Sequence, residues 1–400
     1  MALAFEDVTI IDFTHALSGP AATQQLAVLG ANVIKIERRD TGDQMAQIMA
    51  TEASERFGRS FTFMTTNMNK RSLSLDLKKP EAAEIIKTLV AKADVVVENF
   101  AAGMMDRLGI GYDVLKEINP SLIFCSISGY GQSGPMAGQT AYDPAVQAGS
   151  GMMSVTGFAD GNPVRAGFPV VDVSTGLQGA IAIMGALYRR KVTGEGQFLD
   201  VAMMDTAVVL QQMAMANHMN AGIDYGRNGN RGGANLPTVD TFPASEGYLA
   251  ITALKENQII KLMDTLGCGD ALQDPRFADA PSRQDHFDEL QQVVTNAMAA
   301  DTAANWYEKL RAAGVPCNVV RETRDVVKDP QFEHRNVLCT VPAPGMPDEM
   351  VRGVSVGYIA DVDGPTPGAS PALGEHKHEI LQEFGYSDEK IAALLSGGVI

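Results

Sequence analysis

Short apolar runs alternate with helix-forming segments along the first third of the chain. Residues 8–12 (VTIID) and 32–37 (NVIKIE) have the continuous apolar character of buried strands. Between them a helical pattern, AATQQLAVLG, begins after a break at Ser18, Gly19 and Pro20. This order is a βαβ unit. It predicts a parallel sheet, because the two strands are joined by a helix rather than by a tight turn.

The same arrangement recurs further along the chain. Residues 72–77 (SLSLDL) predict a strand, KKPEAAEIIKTLVAKA predicts a helix with Pro80 in its first turn, and DVVVENF predicts the next strand. A third repeat places a helix near 113–118 before a strand at 121–128 (SLIFCSIS). Strands that alternate with helices in this way indicate a parallel sheet covered on both faces, and hence a doubly wound α/β domain.

The second half of the chain is predicted to add a smaller domain. Two long helical patterns come first, from about Ser174 to Arg190 and from about Ala202 to Met219, and the second can carry the chain away from the first domain. A loop dense in Gly and Asn, a strand-like EGYLAITAL and three helices then indicate an α+β domain, with the loop at 226–237 and the helices around 256–266, 286–298 and 302–313. From about residue 345, short strands lead to an acidic C-terminal helix.

Composition and charge exclude several classes of protein. Of the 400 residues 45% are apolar, which is ordinary for a soluble globular chain. The net charge of −16 creates a field that repels nucleic acid and anionic membrane surfaces, so we expect neither as a partner. The four cysteines lie far apart and form no C-x-x-C pair. We therefore expect a cytoplasmic protein with reduced thiols and no metal site.

Basic side chains lie where a nucleotide would bind. In an open parallel sheet ligands sit at the carboxyl ends of the strands, and the second strand ends in Glu37, Arg38 and Arg39. Arginine there suits an extra ribose phosphate, such as coenzyme A carries, through forked charge-assisted hydrogen bonds. Other basic residues at strand ends or helix starts are Lys70, Arg71, Lys78, Lys79 and Arg107. Each alone fits a solvated surface charge, but together they favour an anion site on this acidic chain.

One carboxylate is a candidate for chemistry. Asp172 is the only charged residue between Phe168 and Tyr188. It fits a helix cap, because Asp172 or Ser174 can satisfy the free amides of a helix that begins near Thr175. It also fits a nucleophile or base, and the residues alone leave both interpretations open.

Several segments together resemble the class III CoA-transferase family. They include DFTHALSGPAATQQLAVLGANVIKIERRDTGD, NMNKRSLSLDLKKPE, VVDVSTG and TGEGQFLDVAMMD, and the matching segments run in order through nearly the whole chain. The resemblance implies a large Rossmann-like, doubly wound domain at 1–200 completed by 345–400, a linker helix at 201–225, a small α+β domain at 226–322 and a return linker at 323–344. It also implies a homodimer of interlocked, ring-shaped subunits.

The same resemblance implies the chemistry. Asp172 matches the catalytic aspartate, which attacks an acyl-CoA to give a mixed anhydride and then carries CoA as an aspartyl thioester. The substrates are then an acyl-CoA and a carboxylic acid, with no tightly bound cofactor. The family's contacts with CoA carry over to Ala16, Arg38, Leu75, Leu77, Lys78, Asn99, Phe100, Arg107 and Tyr142.

Departures from the family pattern bear on the substrate. Leu17 and Thr140 stand where formyl-CoA:oxalate CoA-transferases have a glutamine and a lysine, and their long glycine-rich insertion is missing. We therefore predict a dicarboxylic acceptor with succinyl-CoA as donor. In the loop RNGNRGGANLP, Arg227 and Arg231 fit either a pair with a substrate carboxylate or a solvated surface.

Two other functions compete with CoA transfer. The related α-methylacyl-CoA racemases use a histidine and an aspartate as acid and base, but the histidine position is Tyr142 here. A phenol is a poor base near neutral pH, so a racemase or epimerase is the weaker hypothesis. A non-catalytic acyl-CoA-binding protein is the third, and the presence of Asp172 argues against it.

Overall fold

A computed structural model describes residues 3–400. The main sheet is formed by β1 (Thr9–Asp12), β2 (Asn32–Arg38), β3 (Arg71–Leu75), β4 (Val95–Glu98), β5 (Ile123–Ser128) and β6 (Gln197–Ala202). Its strands are all parallel and lie in the order β3-β2-β1-β4-β5-β6, which is the order of doubly wound nucleotide-binding sheets. The predicted α/β class with a large parallel sheet is confirmed.

The chain divides into two compact units. The larger takes the residues up to Ser150, Ala166–Gln212 and Asp329–Ile400, and the smaller takes Gly151–Arg165 and Met213–Lys328. The larger unit holds the parallel sheet and an antiparallel hairpin of two strands, whereas the smaller holds a three-stranded antiparallel sheet. The strands of the small sheet are β7 (Val239–Pro243), β8 (Tyr248–Thr252) and β9 (Cys317–Val319), and those of the hairpin are β10 (Leu338–Ala343) and β11 (Met346–Val354).

Helices make up most of the remaining regular structure. They are α1 (Ser18–Ala27), α2 (Met45–Ile48), α3 (Glu52–Glu55), α4 (Phe61–Thr66), α5 (Pro80–Val90), α6 (Met104–Arg107), α7 (Tyr112–Ile118), α8 (Asp143–Gly149), α9 (Val170–Thr193), α10 (Met203–Leu210), α11 (Gln212–Ala221), α12 (Glu256–Thr265), α13 (Ala280–Asp285), α14 (Phe287–Met298), α15 (Ala303–Ala313), α16 (Thr323–Val326), α17 (Pro330–His334), α18 (Lys377–Glu383) and α19 (Asp388–Ser396). The pattern predicted at 202–219 as one helix is interrupted at Gln211, so it forms α10 and α11.

Each face of the parallel sheet has its own apolar core. Alternate residues along a strand point to opposite faces, so Ile11 of β1 packs with α5, α7, α18 and α19 while Ile10 packs with α1 and α9. Both cores consist mainly of buried aliphatic side chains, with Phe13 and Phe124 in the first. The strands are therefore apolar on both sides, as their continuous apolar runs predicted.

Helices α1 and α9 cross at very short range. A Cβ added to Gly176 would lie 2.8 Å from Ala21 Cβ and 2.8 Å from the carbonyl oxygen of Ser18. Glycine lets the two backbones approach, and the crossing brings the start of α1 beside the start of α9. By length and apolar composition α9 would also qualify as a membrane span, and 44% of its apolar window is buried inside the structure.

Candidate active site

Asp172 lies in the first turn of α9, at the carboxyl end of the parallel sheet. The carboxylate of Asp143 accepts hydrogen bonds from the main-chain amides of Val171 (2.7 Å) and Asp172 (3.1 Å). The hydroxyl of Ser18, at the start of α1, lies close enough to the Asp172 side chain to favour its charged form. The half-buried Asp172 carboxylate therefore contacts α1 while another residue caps its own helix.

The capping interpretation of Asp172 is wrong in this structure. Helix α9 begins at Val170, several residues before the expected start near Thr175, so Asp172 is inside the helix rather than ahead of it. Asp143 satisfies the free amides instead, from the first turn of α8. The side chain of Asp172 is left available for other contacts.

The environment of Asp172 disfavours its charged form. Burial is the largest cause, the nearby Asp143 carboxylate adds repulsion, and together they raise the pKa of Asp172 to about 6 against the opposing hydrogen bond from Ser18. A carboxylate with a raised pKa is a better nucleophile than a fully solvated one, and this one is still mainly ionised at neutral pH. The site therefore provides a carboxylate that is both ionised at neutral pH and more nucleophilic than a solvated one.

The loop between β1 and α1 is held residue by residue. Asp12 accepts hydrogen bonds from the amide (2.8 Å) and the hydroxyl (2.5 Å) of Thr14. The Asn99 side chain both accepts from the His15 amide and donates to the His15 carbonyl oxygen, each at 2.8 Å. The Ala16 amide donates to Asp43 at 3.2 Å. These contacts fix the chain that leads to Ser18.

Ala16 has a backbone conformation that alanine rarely adopts. Its φ is +63°, in the left-handed region where a Cβ meets steric resistance. Such a conformation persists only when its surroundings enforce it, and here the hydrogen bonds of the neighbouring His15 and of Ala16 itself do so. This strained backbone lies at a position that matches a family contact with CoA.

Three buried ion pairs lie next to this loop. Lys35 pairs with Asp43 at 3.1 Å, Lys70 pairs with Asp12 at 3.0 Å, and all four side chains are fully buried. The third pair is Arg59 with Glu37, joined by two hydrogen bonds of 2.9 and 2.8 Å. Burial alone would raise the pKa of Asp12, but Lys70, Lys35 and two threonine hydroxyls lower it to about 2.

The structure separates the basic residues that the sequence grouped together. Four of them are engaged with protein groups: Lys70 with Asp12, Arg71 with Glu379 and Glu383, Arg39 with Asp40, and Lys79 with the carbonyl oxygen of Gly397. Within residues 3–400, by contrast, the exposed Arg38, Lys78 and Arg107 have no carboxylate partner. These three are also the basic residues for which the family resemblance implies a contact with CoA. Their uncompensated charges are available to an anionic ligand.

The other predicted contact residues lie around the same end of the sheet. Leu75 is buried opposite Arg38 in the β2–β3 register, and Leu77 is half-buried two residues later. The ring of Phe100 packs 5.4 Å from that of His15. Tyr142 immediately precedes Asp143 and is 66% exposed. The predicted residues thus lie at strand ends or in the loops that follow them.

Sequence reasoning missed several residues that build this site. Asp143 carried a local signal, because an Asp followed by Pro144 is a common start of a helix, but nothing nearby reveals that it caps α9. Lys35 and Asp43 gave no signal at all. Each lies within an ordinary-looking segment, and only the fold brings them together beneath Ala16.

The two loop arginines are engaged within the smaller unit. Arg227 donates to the carbonyl oxygens of Phe158, Ala159 and Gly161. Arg231 contacts Asp240 (3.5 Å), Gln291 (2.9 Å) and the ring of Phe287. Both side chains therefore have structural partners. In the part of the chain that the structure describes, no group of three or more His, Cys, Asp or Glu side chains is placed to hold a metal ion.

Comparison with known proteins identifies the family. The family model for CoA-transferase family III matches residues 5–377. The chain belongs to this family. It is accordingly an enzyme that acts on CoA thioesters and carboxylic acids, and the resemblance found in the sequence is confirmed.

Similar proteins cover the chain nearly end to end. It is 33% identical over 404 residues to a succinyl-CoA:glutarate CoA-transferase of Mus musculus, with 99% of this chain and 90% of that protein covered. It is 36% identical over 389 residues to an acetyl-CoA:oxalate CoA-transferase of Acetobacter aceti, with 96% and 97% covered. A crystal structure of a CaiB/BaiF family protein from Brucella suis matches with a TM-score of 0.85 at 32% identity, with 96% and 100% covered.

The raised pKa of Asp172 predicts an acidic limb in the activity profile. Since only the ionised carboxylate is nucleophilic, kcat/KM should fall as the pH drops through about 6. Replacing Asp143 with Asn removes a like charge but keeps an oxygen that accepts from the α9 amides, so this limb should move to lower pH. Asp285→Asn, at an exposed site in the smaller unit, should leave it in place. A limb that does not move in Asp143→Asn would contradict the electrostatic account.

Proposed function

We propose that this enzyme transfers CoA from succinyl-CoA or a similar acyl-CoA to a dicarboxylic acid, with Asp172 as the nucleophile. The supporting observation is the half-buried Asp172 carboxylate, which α9 does not need for capping because Asp143 serves that purpose. Ser18, at the start of α1, lies beside it. A residue spared from a structural role but held in a partly desolvated place is suited to covalent chemistry.

In the first half of the proposed reaction a carboxylate oxygen of Asp172 attacks the thioester carbonyl carbon. A C–O bond forms, the C–S bond breaks, and CoA leaves as a thiolate while the acyl group stays on Asp172 as a mixed anhydride. The thiolate then attacks the aspartyl carbonyl carbon. The donor acid leaves as a carboxylate, and Asp172 carries CoA as a thioester.

The acceptor acid reverses these steps. Its carboxylate attacks the aspartyl thioester and releases the thiolate, which then attacks the acceptor's acyl carbon and frees Asp172. No proton is gained or lost overall, so the site needs negative-charge stabilisation more than a general acid. Helix α1 begins at Ser18, and the first amides of a helix have no partners within it, so they can donate to the developing oxyanion.

The CoA moiety is proposed to lie across the carboxyl ends of β1 to β4. The exposed Arg38 and Lys78 are proposed to bind its ribose phosphate, and the exposed Arg107 to bind a further phosphate charge. Ala16, Leu75, Leu77, Asn99, Phe100 and Tyr142 are the proposed remaining contacts. A cofactor held by its phosphates stays bound while its sulfur changes partners, which this mechanism requires.

A dicarboxylic acceptor fits the names of the similar enzymes. Glutarate and oxalate, named in two of them, are both dicarboxylates, and succinyl-CoA is the donor named in the first. Leu17, rather than a polar residue, stands beside the predicted acyl position. An apolar side chain there suits the methylene groups of succinate or glutarate better than formyl or oxalyl groups.

Loss of Asp172 should stop transfer without stopping CoA binding. In Asp172→Asn the amide cannot form the anhydride, so kcat should fall by at least about a thousandfold while the Kd for CoA changes by less than about twofold. In the native enzyme, hydroxylamine added with succinyl-CoA should convert Asp172 to a hydroxamate that peptide mass spectrometry locates. Turnover that survives the substitution, or a modified residue elsewhere, would refute the mechanism.

The proposed substrates predict a ranking of acids. With succinyl-CoA as donor, dicarboxylates of five or six carbons should be accepted with higher kcat/KM than the monocarboxylates of equal length. The measurement is CoA transfer to each acid of such a series, followed by chromatography of the CoA thioesters. Equal rates for mono- and dicarboxylates would contradict the dicarboxylate proposal, and deuterium exchange at the α-carbon without transfer would favour a racemase.

The outer face of α9 supports the proposal of a homodimer. Val173, Leu177, Ile181, Tyr188 and Val192 are 42 to 72% exposed and recur every four or seven residues, so they form one apolar stripe. On α10, Val209 and Leu210 add further exposed apolar area. A stripe of this length on a monomer is costly in water, and a second copy of the chain is the partner that the family resemblance implies. That resemblance further implies that the two subunits are ring-shaped and interlocked.

Charge placed on this stripe should disrupt the dimer. Ile181→Asp would desolvate a carboxylate in the proposed interface, so sedimentation velocity should show the native dimer mass reduced toward the monomer. Val114→Asp, at an exposed apolar position on α7, is the matched control and should leave the dimer intact. Native protein that sediments as a monomer would refute the proposed assembly.

A further inference from the structure

The segment Gly397–Ile400 lies in the core beneath the proposed CoA site. Val399 and Ile400 are 3% and 4% exposed, and they pack in the same apolar cluster as Leu75. The carbonyl oxygen of Val399 accepts a hydrogen bond of 2.8 Å from the amide of Asp76. The turn that leaves β3 is therefore fastened to this segment.

Of the two adjacent lysines in that turn, Lys78 and Lys79, the segment binds the side chain of Lys79 only. Lys79 donates its ammonium hydrogen bond to the carbonyl oxygen of Gly397, and its amide donates to the carbonyl oxygen of Asp76 at 3.0 Å. The amide of Lys78 donates to the Asp76 carboxylate at 3.2 Å, whereas its ammonium group is exposed. Lys79 is thus used as an anchor, and this leaves Lys78 as the cation available to a ligand.

The backbone of Gly398 lies close to the side chains of Arg39, which directly follows β2, and Lys79, which directly precedes α5. Its φ is +64°, and an added Cβ would lie 2.4 Å from Nη1 of Arg39 and 3.6 Å from Nζ of Lys79. A side chain at this position would therefore push Arg39 and disturb the Lys79 anchor. Arg39 directly follows Arg38, whose β-sheet partner is Leu75 at the end of β3.

We propose that the segment Gly397–Ile400 is a positioning element for recognition of the ribose 3′-phosphate of CoA. By holding Asp76 and Lys79, it sets the turn that presents Lys78 beside Arg38. Both cations can then reach one phosphate, through charge-assisted hydrogen bonds whose strength depends on placement. This inference rests on the proposed CoA site, but it assigns the segment a role in ligand discrimination that the mechanism at Asp172 does not involve.

The test compares two ligands on one pair of variants. Asn tolerates the left-handed conformation, so Gly398→Asn adds a side chain against Arg39 with little backbone strain. Gly267→Asn is the matched control, because Gly267 has a φ of +75° and open space around it. Calorimetric titration would measure the Kd of each variant for CoA and for 3′-dephospho-CoA.

The expected result is a selective loss. Gly398→Asn should weaken CoA binding by about tenfold, the value of one charge-assisted hydrogen bond, and change dephospho-CoA binding by less than about twofold. The control should change neither affinity. Combined with Lys78→Met, which removes the direct contact, Gly398→Asn should cause no further loss, because both act on one interaction.

Other outcomes separate this inference from the proposed function. The inference would be overturned if Gly398→Asn weakened the binding of CoA and of dephospho-CoA equally. It would also be overturned if Gly398→Asn weakened CoA binding as much in the Lys78→Met background as in the native enzyme. In either case the segment would have only a general packing role. Native enzyme that binds CoA and dephospho-CoA equally would overturn the phosphate placement and the inference together. If the native enzyme and Gly398→Asn both prefer CoA over dephospho-CoA to the same extent, the inference is overturned but the proposed phosphate placement is not.

Discussion

The position of the loop and helices around Asp172 depends on a balanced set of buried charges. Asp12, Glu37 and Asp43 are matched by Lys70, Arg59 and Lys35 beneath the carboxyl ends of β1 to β3. Removing one member of a buried pair leaves an uncompensated charge, which costs about 3–5 kcal/mol. Apolar replacements of the whole set could be equally stable, but they could not accept hydrogen bonds from Thr14 and Ala16. The buried charges therefore matter more for positioning the loop between β1 and α1 than for the free energy of unfolding.

That geometry is transmitted to the Asp172 carboxylate, the proposed nucleophile, through one helix crossing. The fixed loop ends at Ser18, where α1 begins, and α1 lies against α9 at Gly176 with almost no space between the backbones. Asp172 is one turn of α9 away from Gly176, so the crossing fixes the distance between the main chains of Asp172 and Ser18. A nucleophile positioned by main-chain packing loses little freedom when substrate binds, which lowers the entropic cost of the reaction.

The sequence was sufficient for the elements whose signal is local and repeated. The strands and helices of the first three βαβ units lie within a few residues of their predicted bounds, since apolar runs and Pro80 mark them directly. Strand β6 was not predicted, because Asp200 interrupts its apolar pattern and the segment continues into α10 without a break. The short helices between Met45 and Thr66 were missed for a similar reason, as they have no full period to detect.

Charge is the property for which sequence spacing is least informative. Lys70, Arg71, Lys78 and Lys79 are nearly contiguous, yet Lys70 and Arg71 pair with carboxylates, Lys79 donates to a carbonyl oxygen, and the ammonium group of Lys78 has no partner among the described residues. Their partners are Asp12, Glu379, Glu383 and Gly397, up to about 300 positions away along the chain. Arg38 and Lys78 have no carboxylate partner among the described residues and lie at or just beyond the ends of the neighbouring strands β2 and β3, so their charges can attract a negatively charged ligand there.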